Sequence, residues 1–312
     1  MLSGTKSSPF APLAVAVMFV LIGCGSSVDD PVAARCNAPD VAFGRKVVLR
    51  DHAELGVRFR CLGAVQAGTL YLPTRARRVP AVVYVPGSGP ALRWGRQVPW
   101  VRMTLRVGMA FLSYDKRGAG RSHGECCPGD EDHFNLLAAD ADGALEAARR
   151  APGVESRRVG FLGTSQAGWV VPLAIARNPG HVAFTALVDA PAVTTDEEHQ
   201  WSDLAGEEAE HPPPLTPAKK AEIERKLRPS GFDPVPLLAR MTVPGIWLYG
   251  GQDRSQPADR SAARLGRLRA SQGKDFTIVV FPAADHGLLD TPPTDARAMP
   301  TLLAWLREHV RA

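Results

Sequence analysis

Short apolar runs alternate with amphipathic stretches along most of the chain. Runs over residues 182–188, 243–249 and 276–281 predict buried strands, whereas residues 136–148 and 302–306 have the apolar spacing of helices. This alternation predicts an α/β fold, in which helices cover both faces of a doubly wound, mostly parallel sheet.

The alternation is interrupted between about residues 191 and 240. Acidic residues, three consecutive prolines at 212–214 and one helical segment at 216–223 replace it. Insertions of this kind lie over the strand ends and shape access to a site, so we expect a small helical cap. The acidic side chains at 196–198 and 207–208 are interpreted as a solvated face. Recognition of a peptide's free amine is the alternative.

One serine separates a strand pattern from a helix pattern at residues 158–169. Gly163 lies two positions before Ser165, and Ala167 lies two positions after it. Small residues at these positions allow a sharp strand-to-helix turn that exposes a hydroxyl, and the following helix offers N–H groups to an oxyanion. A tight connection with a capping serine is the alternative interpretation. Ser165 is therefore a candidate nucleophile.

A candidate acid and base follow Ser165 in the chain order that such a turn requires. Asp253 and His286 each lie shortly after an apolar strand pattern. Because functional groups gather beyond the carboxyl ends of parallel strands, we expect all three side chains to lie close together. Asp189, at the end of another strand pattern, is the rival acid. Asp285 suits the geometry less well because adjacent residues leaving a strand diverge.

Three further motifs accompany these residues. Residues 68–73 have an early strand pattern, residues 81–90 combine a strand with a Pro-Gly-Ser-Gly-Pro loop, and residues 111–122 contain Asp-x-Arg-Gly-x-Gly-x-Ser. Together they resemble the α/β-hydrolase superfamily, especially bacterial esterases and relatives of prolyl oligopeptidase and dienelactone hydrolase. The likeness extends over nearly all of residues 68–310. Pro86 stands where this family usually has a histidine.

The resemblance implies a serine hydrolase that cleaves a carboxylic ester or related acyl bond through an acyl-enzyme intermediate. Ser165 would attack, His286 would take and return the proton, and Asp253 would orient the imidazole. The backbone N–H groups of Gln166 and Ser88 would form the oxyanion hole. The alternatives are an aminopeptidase-like amidase, an acyltransferase and a non-catalytic binding protein. The expected partner is a small acyl substrate, and no cofactor is implied.

Two glycines flank Ser88 in the loop of residues 81–90. We expect Gly87 and Gly89 both to adopt positive φ, because such a backbone turns tightly enough to aim N–H groups into a site. A simple glycine turn is the alternative.

The amino terminus has the pattern of an exported protein. Lys6 precedes an uninterrupted apolar block over residues 10–22, which suits a signal-peptide core and is too short to span a bilayer. Residues 21–24, Leu-Ile-Gly-Cys, resemble the bacterial lipobox, and this likeness implies cleavage before an acylated Cys24. An ordinary secretory signal or a buried helix is the alternative.

These patterns give a domain organisation. We expect a lipoprotein signal peptide at 1–23, a tether at 24–40 and the hydrolase domain at 41–312. The protein would be lipid-anchored in the cell envelope, on the outer membrane if the host is Gram-negative.

Composition and charge add weaker constraints. The 312 residues, 45% of them hydrophobic, suffice for one α/β domain. The net charge of +5 is spread along the chain without aromatic residues interleaved, which argues against a nucleic-acid partner.

Four cysteines besides Cys24 fit an oxidising compartment. Cys36, Cys61, Cys126 and Cys127 could form one or two disulfides, and the sequence does not choose their pairing. No metal site is predicted, because no second Cys or His pair follows the adjacent cysteines at ligand spacing. The oligomeric state is likewise undetermined.

Overall fold

The computed structural model describes residues 36, 40–74, 78–95, 98–212, 214–289 and 294–311. All of them belong to the larger of the two units into which the chain divides, Pro31–Ala312. The expected signal peptide, the lipobox with Cys24 and most of the tether lie outside the described residues.

The strands of the described chain are β1 (Val41–Val48), β2 (His52–Cys61), β3 (Ala64–Pro73), β4 (Val79–Val85), β5 (Ala110–Tyr114), β6 (Val154–Thr164), β7 (Thr185–Val188), β8 (Gly245–Gly250) and β9 (Phe276–Phe281). Its helices are α1 (Val98–Arg106), α2 (Glu131–Arg150), α3 (Ala167–Arg177), α4 (Thr195–Ala205), α5 (Pro217–Lys226), α6 (Val235–Arg240), α7 (Ala258–Gln272) and α8 (Ala298–Arg311). None of these helices has both the length and the apolar character needed to cross a membrane.

The described strands form one mixed sheet in the order β1-β2-β3-β5-β4-β6-β7-β8-β9. Strands β1, β2 and β3 pair antiparallel, and β3 also pairs antiparallel with β5. From β5 to β9 all neighbours are parallel. The prediction of a doubly wound, mostly parallel sheet is confirmed. Its antiparallel part extends back to β1, well before the early strand predicted at 68–73.

Alternate side chains of the central strands enter two separate cores. Val83 and Leu112 pack in the core that contains apolar residues of α2, α3, α6 and α7. Val82 and Phe111 point to the other face and pack with residues of α1 and α8. Because helices cover both faces, these strands are apolar on both sides, as in other parallel sheets. Residues that follow the carboxyl ends of β4, β6 and β7 line a cavity.

Helices α4 and α5 form the centre of the insertion over the strand ends. Helix α4 begins with a capping box, in which Thr194 and Glu197 bond each other's backbone N–H. Helix α5 begins at Pro217 after the capping side chain of Thr216. A small apolar cluster joins them, with Trp201 of α4 and Ile223 of α5 both buried.

The interpretation of residues 196–198 as a solvated face is wrong for Glu198, whose side chain is only 16% exposed, and for Glu197. The carboxylate of Glu197 is fully buried and accepts hydrogen bonds from Arg260 and Arg264 of α7, at 2.6 and 2.7 Å. Burial alone would raise the pKa of Glu197, but the Thr194 backbone N–H and the two guanidinium groups lower it overall. The charge is tolerated inside because it is paired, and it attaches the cap to the main domain.

The structure pairs the cysteines by proximity in space. Cys36 and Cys61 form one disulfide with their Cα atoms 5.3 Å apart, and the adjacent Cys126 and Cys127 form the other. The first one fastens the residue before the sheet to the end of β2.

Candidate active site

Ser165 occupies the turn between β6 and α3 with a backbone that few side chains adopt. Its φ is +51°, and its N–H donates to the carbonyl of Val188 on β7 at 3.1 Å. A non-glycine residue at positive φ is strained and persists where the surrounding structure enforces it, typically at functional sites. The turn therefore presents the hydroxyl beyond the strand end.

The glycine before Ser165 is required by the alanine after it. A Cβ placed on Gly163 would lie 2.5 Å from the Cβ of Ala167, which is closer than two carbon atoms can approach. Only one of these two positions can carry a methyl group. This explains why Ala167 is compatible with a turn that usually has glycine there.

Asp253 and His286 come together from the ends of β8 and β9. The Nδ1 of His286 lies 2.8 Å from Oδ2 of Asp253. The backbone N–H groups of Ser255 and Gln256 donate to Oδ1 at 2.8 and 3.1 Å, and the side chain of Gln256 donates to Oδ2 at 3.0 Å. These donors hold a fully buried carboxylate in one orientation, aimed at the imidazole.

The rival acid Asp189 lies close by but has a different partner. Its Oδ1 accepts from the N–H of Gly250 on β8 at 2.8 Å. Burial, and then the charge of Asp253, raise its pKa well above the ordinary value. Burial alone would lower the pKa of His286, but the charge and hydrogen bond of Asp253, with a further contribution from Asp189, raise it overall. Asp285 turns back and accepts from the N–H of His286 at 2.8 Å.

Ser165 and His286 line the same cavity of about 840 Å³ at the carboxyl ends of the strands. Asp189 and Ser88 line it as well. Glu207 of the cap also contributes to its wall. Within the described residues, no group of three or more His, Cys, Asp or Glu side chains is arranged to hold a metal ion.

The two loop glycines serve different purposes, which corrects one expectation. Gly89 has φ +70°, whereas Gly87 is not among the described residues of positive φ. A Cβ on Gly87 would lie 3.1 Å from the Cβ of Ser165 and 3.4 Å from the carbonyl oxygen of Thr164. Gly87 is needed for close approach to the serine, and only Gly89 is needed for its backbone angle.

The acidic and basic residues of the 111–122 motif form ion pairs that stabilise the loop beside the cavity. Asp115 is buried and accepts from the side chain and backbone N–H of Arg93. Arg117 donates to Asp140 of α2 at 2.6 and 2.9 Å. Both ion pairs are buried, and they fix the loop after β5 beside the cavity.

Sequence reasoning missed two residues that hold the site together. Lys116, between the two charged motif residues, donates to Gly87 and Gln166, and the indole N–H of Trp201 donates to the carbonyl of Asp253 at 3.1 Å. Lys116 occupies a variable position of its motif, so no local pattern indicates its role. The apolar periodicity of α4 could have indicated that Trp201 is buried.

Comparison with known protein families finds a match to part of the chain. The family described as "Serine aminopeptidase, S33" matches residues 80–230. A search of curated proteins gave no significant match to the sequence.

Several solved structures share the fold at low sequence identity. Acetyl xylan esterase 1 from Thermoanaerobacterium sp. aligns with a TM-score of 0.60 and 18% identity, over 90% of this chain and 92% of that one. Est1E from Butyrivibrio proteoclasticus, with ferulic acid bound, aligns with 0.60 and 17%, over 82% and 99%. Dienelactone hydrolase from Anabaena variabilis aligns with 0.54 and 17%, over 84% and 98%. Sheet order, the turn at Ser165 and these matches show that the chain has the α/β-hydrolase fold.

Proposed function

We propose that this protein is a serine hydrolase that cleaves a carboxylic ester through an acyl-enzyme intermediate. The observation that carries the proposal is the 2.8 Å contact between Asp253 and His286 beside a strained Ser165 in one cavity. A base that is oriented by a buried acid and shares a cavity with a serine hydroxyl is the arrangement that activates a serine nucleophile.

The proposed reaction has two halves. In the first, Ser165 Oγ attacks the carbonyl carbon while Nε2 of His286 takes its proton, because Nδ1 is engaged by Asp253. The tetrahedral oxyanion receives hydrogen bonds from the backbone N–H groups of Gln166 and Ser88. When it collapses, the alcohol leaves with the proton from His286. Water then repeats the sequence on the acyl-enzyme and releases the carboxylic acid.

An ester is the substrate class that the comparisons favour. Two of the similar structures are acetyl xylan esterases, and a third has ferulic acid bound. The chain order of Ser165, Asp253 and His286 and the loop at Ser88 are compatible with that chemistry. We therefore expect short acyl esters to be hydrolysed faster than amides.

One observation favours an aminopeptidase-like amidase as the second candidate. Glu207 lines the cavity, and burial followed by the charge of Glu207 raises the pKa of Glu198 on α4 to about 8. Acidic groups beside the site could receive the free amine of an aminoacyl substrate. The matched family is also described as a serine aminopeptidase.

A labelling experiment on the protein without residues 1–24 tests the nucleophile. A fluorophosphonate probe should modify Ser165, and mass spectrometry of the digested protein should locate it there. Ser165→Ala should lose both labelling and turnover while its circular dichroism spectrum is unchanged. Equal labelling of the alanine variant would contradict the assignment.

A substrate panel then separates the candidates. The panel contains p-nitrophenyl esters of increasing acyl length, thioesters and aminoacyl p-nitroanilides. Faster turnover of the anilides, with a strong loss in Glu207→Gln, would favour the amidase. Acyl transfer to an added alcohol in preference to water would indicate an acyltransferase, and binding without turnover or labelling would indicate a non-catalytic protein.

We also propose that the mature protein begins at an acylated Cys24. The proposal rests on the apolar block at 10–22 and the lipobox resemblance. Mass spectrometry of the mature terminus should find a lipid-modified cysteine, and Cys24→Ser should remain unlipidated. An unmodified terminus elsewhere, or a Cys24→Ser protein processed and membrane-bound like the parent, would contradict it.

A further inference from the structure

The feature that the proposed reaction leaves unused is the buried amine of Lys116, which follows β5. Its side chain is almost completely buried. Nζ donates to the carbonyl oxygen of Gly87 and to Oε1 of Gln166, each at 2.7 Å. One ammonium group thus connects the loop after β4 with the turn after β6. These two segments carry the two N–H groups assigned to the oxyanion hole.

The contact with Gly87 constrains the N–H of Ser88 directly. The carbonyl of Gly87 and the N–H of Ser88 belong to the same planar peptide unit, and in a trans peptide they point in opposite directions. Holding the oxygen at Lys116 therefore fixes the direction in which the N–H of Ser88 points. A peptide without this contact could rotate and turn its donor away from the reacting carbonyl.

The contact with Gln166 acts on the second donor. Gln166 is the residue after the nucleophile, and its side chain is buried together with Lys116. Its Oε1 is held by Nζ, which restricts the residue whose backbone N–H stands at the start of α3. The two residues linked to the proposed N–H donors, Gly87 and Gln166, therefore both accept hydrogen bonds from Nζ of Lys116.

Lys116 also places a positive charge behind the site. Within the described residues, no carboxylate forms an ion pair with its Nζ, since the neighbouring Asp115 is bonded to Arg93 and Asp140 is bonded to Arg117. Burial lowers the pKa of Lys116 to about 8. An uncompensated cation near a developing oxyanion stabilises the transition state more than the neutral ground state.

We propose that Lys116 is a positioning residue that sets the geometry of the oxyanion hole by holding Gly87 and Gln166. The inference rests on the proposed function, because it assigns a role within the same reaction. Lys116 does not touch the substrate and acts through the two donor residues. Its loss should weaken binding of the transition state and leave binding of the substrate nearly unchanged.

Lys116→Met tests this, since methionine keeps much of the side-chain volume without the donor or the charge. With p-nitrophenyl acetate, we expect kcat/KM to fall about 10- to 100-fold, which is somewhat less than the effect of removing a complete oxyanion donor. The decrease should be in kcat, with KM nearly unchanged. The Ki of an alkyl trifluoromethyl ketone should rise by the same factor, because its adduct with Ser165 carries an oxyanion. If Lys116 contributed only to stability, kcat/KM and the Ki of the ketone would not change by the same factor.

A pH profile gives a second readout. Among the described residues, His133 of α2 is the titratable group whose pKa responds to Lys116: burial and the charge of Lys116 lower it. His133 is therefore neutral over the relevant range. Titration of His286 raises kcat/KM with pH, and a partial decline should be superimposed on that rise as pH passes through about 8, because Lys116 then loses its charge but keeps N–H donors. That decline should be absent in Lys116→Met.

Lys274→Met is the matched control. Lys274 also donates from Nζ to a backbone carbonyl, that of Met241 at 2.8 Å, but lies before β9 at the opposite ends of the strands. Its kinetic constants should equal those of the parent. If Lys116→Met does not fold, Gln166→Met decides, because it removes one acceptor of Lys116 and should raise the Ki and lower kcat in the same proportion.

Two outcomes would overturn the inference. One is an unchanged kcat/KM in folded Lys116→Met, and the other is a loss found entirely in KM while the ketone binds as before. Both presuppose that the parent protein is labelled at Ser165 and turns over an ester. A parent that is neither labelled nor active would instead overturn the proposed function itself.

Discussion

At the scale of single residues, two buried acids lie near His286, and they have different hydrogen-bond partners. Asp253 is bonded to the imidazole, whereas Asp189 is bonded to the backbone of β8. The pKa of Asp189 is raised by burial and by the charge of Asp253, so its neutral form is favoured. The negative charge beside His286 therefore belongs mainly to Asp253.

This difference predicts unequal effects of two matched substitutions. Asp253→Asn should lower kcat by several orders of magnitude, by analogy with the loss of about 10⁴ in the serine-protease triad, because the amide no longer holds the imidazole in the required tautomer. Asp189→Asn should cost far less, since an amide oxygen can still accept from Gly250. Steady-state kinetics with one ester compares the two. The reverse ranking would move the catalytic acid to the end of β7.

The pH profile gives a separate prediction at the same position. In the proposed reaction His286 acts as a base only when neutral, so activity should fall as pH drops below its pKa. Because Asp253 raises that pKa above the ordinary value of 6.5, the acid limb of kcat/KM should lie above 6.5. Asp253→Asn removes the charge, so the residual activity should show its acid limb at lower pH. A limb that does not move would mean that another group controls it.

At the scale of secondary-structure elements, α4 links the cap to both α7 and the acid. Its Glu197 accepts from Arg260 and Arg264, while its Trp201 donates to the carbonyl of Asp253. The position of the cap and the position of the acid are therefore coupled through one helix. A change that loosens α4 should disturb the site as well as stability.

Glu197→Gln tests this attachment. Removing one partner of a buried ion pair typically costs about 3–5 kcal/mol, and we expect about 2–3 kcal/mol here because both arginines are partly exposed. The pKa of Glu197 is lowered on folding, so its stabilisation is present above pH 4.5 and is lost as pH falls through the lowered value. The difference between parent and variant should therefore be large at pH 7 and shrink in acid.

Urea unfolding at pH 7 and in acid measures this difference. Glu222→Gln on α5 is the control, because Glu222 forms comparable contacts with Lys219 and Lys226 on the surface. Exposed pairs of that kind contribute little to stability because solvent screens them. Equal destabilisation by the two substitutions would show that Glu197 does not anchor the cap.

At the scale of the whole molecule, the disulfide between Cys36 and Cys61 closes the largest covalent loop in the described chain. The two residues are separated by 25 positions, and the loop includes β1 at the edge of the sheet. Replacing both by alanine should lower the free energy of unfolding by about 3 kcal/mol, because the unfolded chain regains loop entropy. Denaturant unfolding of oxidised protein measures it.

The second disulfide provides the control for that prediction. Cys126 and Cys127 are adjacent, so their bond closes almost no loop. Replacing both by serine should change stability much less than the first pair of substitutions. A comparable loss from both would show that local packing, and not loop closure, accounts for the effect.

Much of the parallel sheet could be predicted from the sequence, and its antiparallel edge could not. The runs that became β8 and β9 are continuously apolar, because strands covered on both faces have no polar side. β1 lies at the sheet edge and has only two half-buried residues, Val41 and Phe43, among exposed ones, so its pattern is weak. Ser165 was identifiable because a sharp turn needs small residues at fixed local spacing.

The sequence by itself determined the alternation of elements and the chain order of Ser165, Asp253 and His286, because periodicity and turn chemistry act over a few residues. Only the tertiary structure decided which acid bonds His286, because Asp189 and Asp253 end neighbouring parallel strands and differ in what surrounds them. The same holds for the burial of Glu197 and for the contacts of Lys116 with Gly87 and Gln166. Those contacts join residues far apart in the chain, and they exist only once strand order and packing have brought the partners together.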